Sequence, residues 1–150
     1  MLIRGVGAVG APRAPHPSMP GARSHTELIA WQLAHTLKLE IYELIASDTF
    51  VPHRDLCDQL RRAAGNAPRN IAEGFGRYLP GDFIRYLRMA NGEFKELLDA
   101  LQDAHDRRCL DGDDLLRLQR LCKRASKATT NLIKYLRTAK APHEPLRPRR

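Results

Sequence analysis

Arg62, Asn70, Glu73 and Arg77 are the polar residues of RRAAGNAPRNIAEGFGRYL, residues 61–79, whose types and spacing suggest chemistry. Three chemistries can be asked of them. A phosphate-cradling loop needs Gly-x-x-x-x-Gly-Lys-Ser/Thr, or Gly-x-Gly-x-x-Gly between a strand and a helix. Here Gly-Phe-Gly stands alone, no strand pattern precedes it, and no Lys-Ser or Lys-Thr follows. A catalytic site would make Glu73 an acid or base, yet no facing histidine, second acid or metal set accompanies it. Arg69 and Arg77, four residues before and after, would instead hold Glu73 charged as an ion-pair member.

The helical reading explains more of the stretch. At 3.6 residues per turn Leu56, Leu60, Ala63, Ala64, Ala67, Ile71 and Phe75 share one face. Arg62, Asn66, Arg69, Asn70, Glu73 and Arg77 form a polar strip beside it. Small residues, including Ala72, Gly74 and Gly76, would let neighbouring backbones approach closely. Pro68 costs about 3 kcal/mol inside a helix, so a kink, or a helix restarting after Asn66 as N-cap, is expected. Asn70, at the border of the apolar face, is expected to be largely buried and hydrogen-bonded. Two readings of the strip stay open: a network within or between subunits, or phosphate contact through Arg62, Arg69 and Arg77.

A second candidate set is cationic. Arg117, Arg120, Lys123, Arg124, Lys127 and Lys134 fall opposite an apolar stripe, and no acid occurs between Leu115 and Lys140. A solvated face ordinarily mixes signs in pairs four residues apart. With a net charge of +8, the pattern favours an anionic partner, nucleic acid before a membrane surface. Arg147, Arg149 and Arg150 would be a flexible auxiliary. Cys57, Cys109 and Cys122 are odd in number and lack CxxC spacing, which fits small buried hydrophobes in a reducing cytoplasm. The histidines are scattered, so no metal or cofactor is expected.

The elements that must position these residues are helices. The 150 residues suffice for one domain, and with 43% hydrophobic, 28% charged and only 6% aromatic residues they suit a globular helical core. One helix is expected from about Thr26 to Ser47, with Ala30, Leu33, Ala34, Leu37, Ile41, Leu44 and Ile45 inward. Leu28, Trp31, Leu39 and Tyr42 lie on another side of it, as a wider core face or as an oligomer interface. The second helix is expected from about Arg54 to Tyr78, before the turn signal LPGD. The third carries Phe83, Leu87, Ala90, Phe94, Leu97, Leu101 and Ala104 at alternating steps of four and three. LDGDD ends it, with Gly112 as the break and Asp113 or Asp114 opening a fourth helix to about Lys140. That helix points Leu115, Leu118, Cys122, Ala125, Thr129, Leu132 and Leu136 inward. The expected fold is all-α, an antiparallel up-down-up-down four-helix bundle over 25–140. Residues 1–24 and 141–150, rich in Pro and Arg, are expected to be disordered basic extensions, with Met19 a possible true start. No apolar run approaches the length of a membrane span.

QLRRAAGNAPRNIAEGFGR resembles the signature of the four-helix-bundle proteins of bacterial large-subunit rRNA intervening sequences. Gln59, Arg62, Ala63, Ala64, Pro68, Asn70, Ile71, Ala72, Glu73, Gly74 and Arg77 carry it, with Trp31-Gln32 before and Ala90, Gly92, Glu96 and Leu97 after. Asn66, Arg69 and Glu93 depart from the pattern. The resemblance implies a homopentameric ring without enzymatic activity. It also implies kinship with the accessory bundle proteins of diversity-generating retroelements, which engage nucleic acid and a reverse transcriptase. Two functions follow as expectations. One is a non-enzymatic oligomer binding RNA or DNA through its basic surface, largely without sequence preference; the other is a scaffold docking an acidic partner such as a reverse transcriptase.

Overall fold

In the computed structural model, residues 16, 19, 21–77 and 79–138 are described, and the four expected helices are all present among them. After a 3-10 turn at His25–Glu27, opened by the Ser24 hydroxyl, come α1 (Ile29–Ile45), α2 (Arg54–Phe75), α3 (Pro80–Asp106) and α4 (Gly112–Thr138). Helices α2 and α3, α3 and α4, α1 and α2, and α1 and α4 pack against each other around one core. Along α2 and α3 the contacts run in opposite order: Asp55 meets Arg107, Arg62 meets Glu96, and Arg77 meets Tyr86. The seven residues of the expected α3 seam are all fully buried.

Pro68 neither ends α2 nor starts it. The helix runs through it, and the pyrrolidine ring is buried among the core side chains. Packing of the whole apolar face outweighs the one hydrogen bond that proline cannot make. The expected close approach is real at Gly74. A Cβ there would stand 2.7 Å from the Phe83 ring and 2.8 Å from the Tyr86 Cβ, so α2 and α3 touch almost backbone to side-chain root. Gly76 does no such work, because a Cβ there would meet only carbonyls of its own helix. Gly65 gives the second tight point, 3.0 Å from the Tyr42 hydroxyl of α1.

Helix ends depart from expectation in three places. Pro80 takes the first position of α3, where its missing N–H is no loss. Helix α3 ends at Asp106, and Arg108 (φ 62°), not Gly112, takes the left-handed position after it. The Cys109 N–H bonds the Ala104 carbonyl and the Arg108 N–H bonds His105, both at 2.9 Å, completing a Schellman closure. Asp111, rather than Asp113 or Asp114, caps α4 by accepting the Asp114 N–H at 2.8 Å. On α4 the buried position between Thr129 and Leu136 is Ile133, with Leu132 only half-buried.

Within the expected N-terminal extension, His16 and Ala22 are buried and Met19 packs on the core. The His16 ring lies 4.5 Å from Phe75, and Nε2 stands 3.0 Å from the Arg77 carbonyl. These residues close the end of the bundle instead of trailing from it. The tail at 141–150 and Tyr78, the expected end of the second helix, fall outside the described residues.

Candidate nucleic-acid interface

The polar strip of α2 resolves into ion pairs. Arg62 donates to Glu96 of α3 at 2.7 Å, and Arg77 donates to Glu73 at 2.7 Å and to the Tyr86 hydroxyl at 2.6 Å. The Arg77 guanidinium also stacks 4.9 Å from the Tyr86 ring centre. Among the described residues Arg69 reaches only the Asn66 side-chain oxygen, at 3.2 Å. Glu73 therefore serves as an exposed carboxylate held by Arg77. The strip is an intramolecular network at Arg62, Glu73 and Arg77.

Asn70 is half-buried and its side chain makes no hydrogen bond among the described residues, contrary to expectation. An asparagine that bridges α3 to α4 is Asn91. Its side chain donates to Thr130 at 3.2 Å and accepts from Ser126 at 3.1 Å, linking α3 to α4. At the α2–α3 seam Glu93 is half-buried beside Glu96, and burial, then Glu96, push its carboxyl above the usual range. Arg62 and Asn66 oppose that shift without cancelling it.

The cationic face of α4 separates into two groups. Arg117 is engaged by Asp114 on its own helix and by Glu40 of α1, so it pins α1 to α4 and leaves the unpaired set. Arg120, Lys123, Arg124, Lys127 and Lys134 are exposed and have no carboxylate partner among the described residues. They stay unpaired because the acid that an ordinary helix would place a turn away is missing from α4 after Asp114. The sequence reading missed Arg88 and Lys95, exposed cations seven residues apart on α3 that likewise lack an ion pair among the described residues. Their signal was hidden because acids intervene at Glu93 and Glu96, which turn out to face α2.

The expected oligomer face divides as well. Leu28 is buried in its own bundle, and Trp31 is half-buried, stacked on His35 at 4.6 Å. Both belong to the fold. Leu39 at 52% and Tyr42 at 39% exposure remain as uncovered apolar surface.

Cys122 is buried, donates to the Phe94 carbonyl at 3.3 Å, and its thiol is pushed up to about 12 by desolvation. Burial also raises the Cys109 thiol, and all three cysteines are free. They pack. Among the described residues no group of three or more potential metal ligands occurs, and no helix is long and apolar enough to cross a membrane.

No curated protein matches the chain. The family model described as 23S rRNA-intervening sequence protein matches residues 26–131, which takes in α1, α2, α3 and α4 as far as residue 131, with the cations from Arg120 to Lys127 but not Lys134. The helices, the Asn-Ile-Ala-Glu-Gly stretch on α2 and this match agree: the chain belongs to the 23S rRNA-intervening sequence protein family.

Proposed function

We propose that this protein is a non-enzymatic, self-associating bundle that binds RNA or DNA through the outward side of α4. The observation that carries the reading is the row Arg120, Lys123, Arg124, Lys127 and Lys134, exposed and without carboxylate partners among the described residues. Such a row pairs with phosphates by releasing their condensed counterions, which gives affinity without base information. The exposed Leu39 and Tyr42 of α1 support contact between copies. Several copies would repeat a modest patch and gain avidity from it. The family's name makes RNA the first ligand to test.

The test is an anisotropy titration with labelled single-stranded RNA and duplex DNA across 50–300 mM salt. Five phosphate contacts predict a log–log slope of about −3.5 for a single strand and about −4.5 for a B-form duplex. Tight binding with a flat salt response would refute the mechanism. Failure to bind RNA or DNA, with capture of an acidic protein such as a reverse transcriptase, would turn the same face into a docking scaffold.

A further inference from the structure

The cations that the sequence reading overlooked change the shape of this face. Arg88 and Lys95 lie on the side of α3 that turns toward α4, since Asn91 between them bonds Ser126 and Thr130 of α4. Along α4, Lys123, Lys127 and Lys134 lie on the side that turns toward α3, flanking the same two contacts in sequence. The seam between the helices is thus a shallow trough. Its floor is the polar trio Asn91, Ser126 and Thr130, and its two edges are cationic.

Scale decides what such a trough fits. Packed helices lie about 8–10 Å apart. The α4 edge, Lys123 to Lys134, runs about 16 Å along its helix, and the α3 edge, Arg88 to Lys95, about 10 Å. Two parallel cationic edges at that separation match the two phosphate backbones that border a groove roughly 6–12 Å wide. A single strand needs only one edge, and proteins that hold single strands add aromatic platforms for the bases. Among the described residues no aromatic side chain stands in this trough. Tyr135 lines an apolar groove with Leu28, Ala128 and Leu132, toward α1, and Tyr86 lies under Arg77 and Arg85, toward α2.

Gly92 adds an independent observation. It is exposed in the middle of α3, and a Cβ there would meet nothing within 4 Å, so packing within the chain does not require it. A mid-helix glycine costs about 1 kcal/mol relative to alanine. Between Arg88 and Lys95 it leaves the α3 backbone bare, open to close approach by a phosphate backbone.

We propose that the α3–α4 trough holds a nucleic-acid duplex by both phosphate backbones, Arg88 and Lys95 contacting one strand and Lys123, Lys127 and Lys134 the other. This rests on the proposed polyanion binding by α4 and adds to it the second edge and the double-stranded ligand. RNA and DNA duplexes offer the same paired backbones, and the experiment separates them.

The measurement is binding of a 20-base-pair RNA duplex, the same DNA duplex and a 20-nucleotide single strand, for the wild type, R88A/K95A and the charge-preserving R88K/K95R. Expected are tighter binding of at least one duplex than of the single strand and loss of duplex affinity on the order of 10- to 100-fold in R88A/K95A at 100 mM salt. The DNA salt slope should become shallower by about 1.8, and R88K/K95R should restore both. Circular dichroism of each variant checks that the helices persist. Unchanged duplex affinity and slope in R88A/K95A, with a wild type that binds, would overturn the trough and leave the α4 reading standing. Tighter binding of the single strand would overturn it too. A wild type that binds none of the three would defeat the α4 reading and the trough together.

Discussion

At Gly74 one missing methyl sets the distance between α2 and α3. The nearest neighbour of an added Cβ on the Tyr86 side is itself a Cβ, fixed to the α3 backbone, so no rotamer change can relieve that contact. Gly74→Ala gains about 1 kcal/mol of helix propensity and must push the helices apart, at about 1–3 kcal/mol for overpacking. The expected balance is a loss of stability, measured as a lower urea midpoint with an unchanged slope. Arg108 is the opposite case. Its φ of 62° strains a side chain where glycine is at ease, so Arg108→Gly should stabilise by about 0.5–1 kcal/mol and raise Tm by roughly 2–5 °C in a thermal melt. The cysteines test burial directly. With the Cys122 thiol pushed up to about 12, native alkylation at pH 8 should label Cys57 first and leave Cys122 intact until the chain unfolds, as peptide mass spectrometry would report.

The helix elements were legible in the sequence wherever periodicity was long. The α3 seam was read without error because seven apolar residues in alternating steps admit only one buried side. Ends were harder to read. The α3–α4 break was assigned to Gly112, yet Arg108 makes the turn, since Schellman hydrogen bonds and packing of Cys109 and Leu110 hold a residue that propensity disfavours. The candidate site was half legible. A run without acids marked α4, but which cations are already paired depends on the neighbouring helix, and Glu40, which engages Arg117, is 77 residues away. Arg88 and Lys95 are hidden in the sequence because sign mixing along α3 conceals that Glu93 and Glu96 face α2. That seam carries a pH signature. The Glu93 carboxyl is raised by burial and by Glu96, so the folded state holds its proton more tightly than the unfolded chain. Stability contributed by the group is present at acid pH and is lost as pH rises through the folded value. Glu93→Gln should therefore raise Tm at pH 7 by about 1–3 °C, a small figure because the site is partly screened, and the gain should vanish near pH 4.

Over the whole molecule, charge is sorted by position along the bundle. Arg85, Arg88, Lys127, Lys134 and Arg137 gather where α3 begins and α4 finishes, while Asp99, Asp103, Asp106, Asp111 and Asp113 stand where α3 finishes and α4 begins. Among the described residues six of the seven ion pairs involve residues from the acidic half or its neighbouring helix turns, so Arg61, Arg62, Arg107 and Arg117 are neutralised locally there, while Arg120, Lys123 and Arg124 are not. At the other end, among the described residues, only Arg77 has a carboxylate partner, Glu73. A polyanion bound along α4 as proposed would be favoured toward the end where α3 begins and α4 finishes. Self-association through α1 would array those ends. Leu39 and Tyr42 offer the apolar area for it, and both are exposed, so charge there should separate copies without opening the core. Leu39→Asp with Tyr42→Asp should reduce the native mass to that of one chain, read by light scattering, with the helical spectrum retained. Affinity for a long nucleic acid, which several copies can grip at once, should fall by on the order of 100-fold. Affinity for a short one, which occupies a single copy, should stay within about threefold. A native mass that remains multiple in this variant would move the contact between copies away from α1. Equal losses for both lengths would show that avidity contributes nothing and that one copy carries the whole interface.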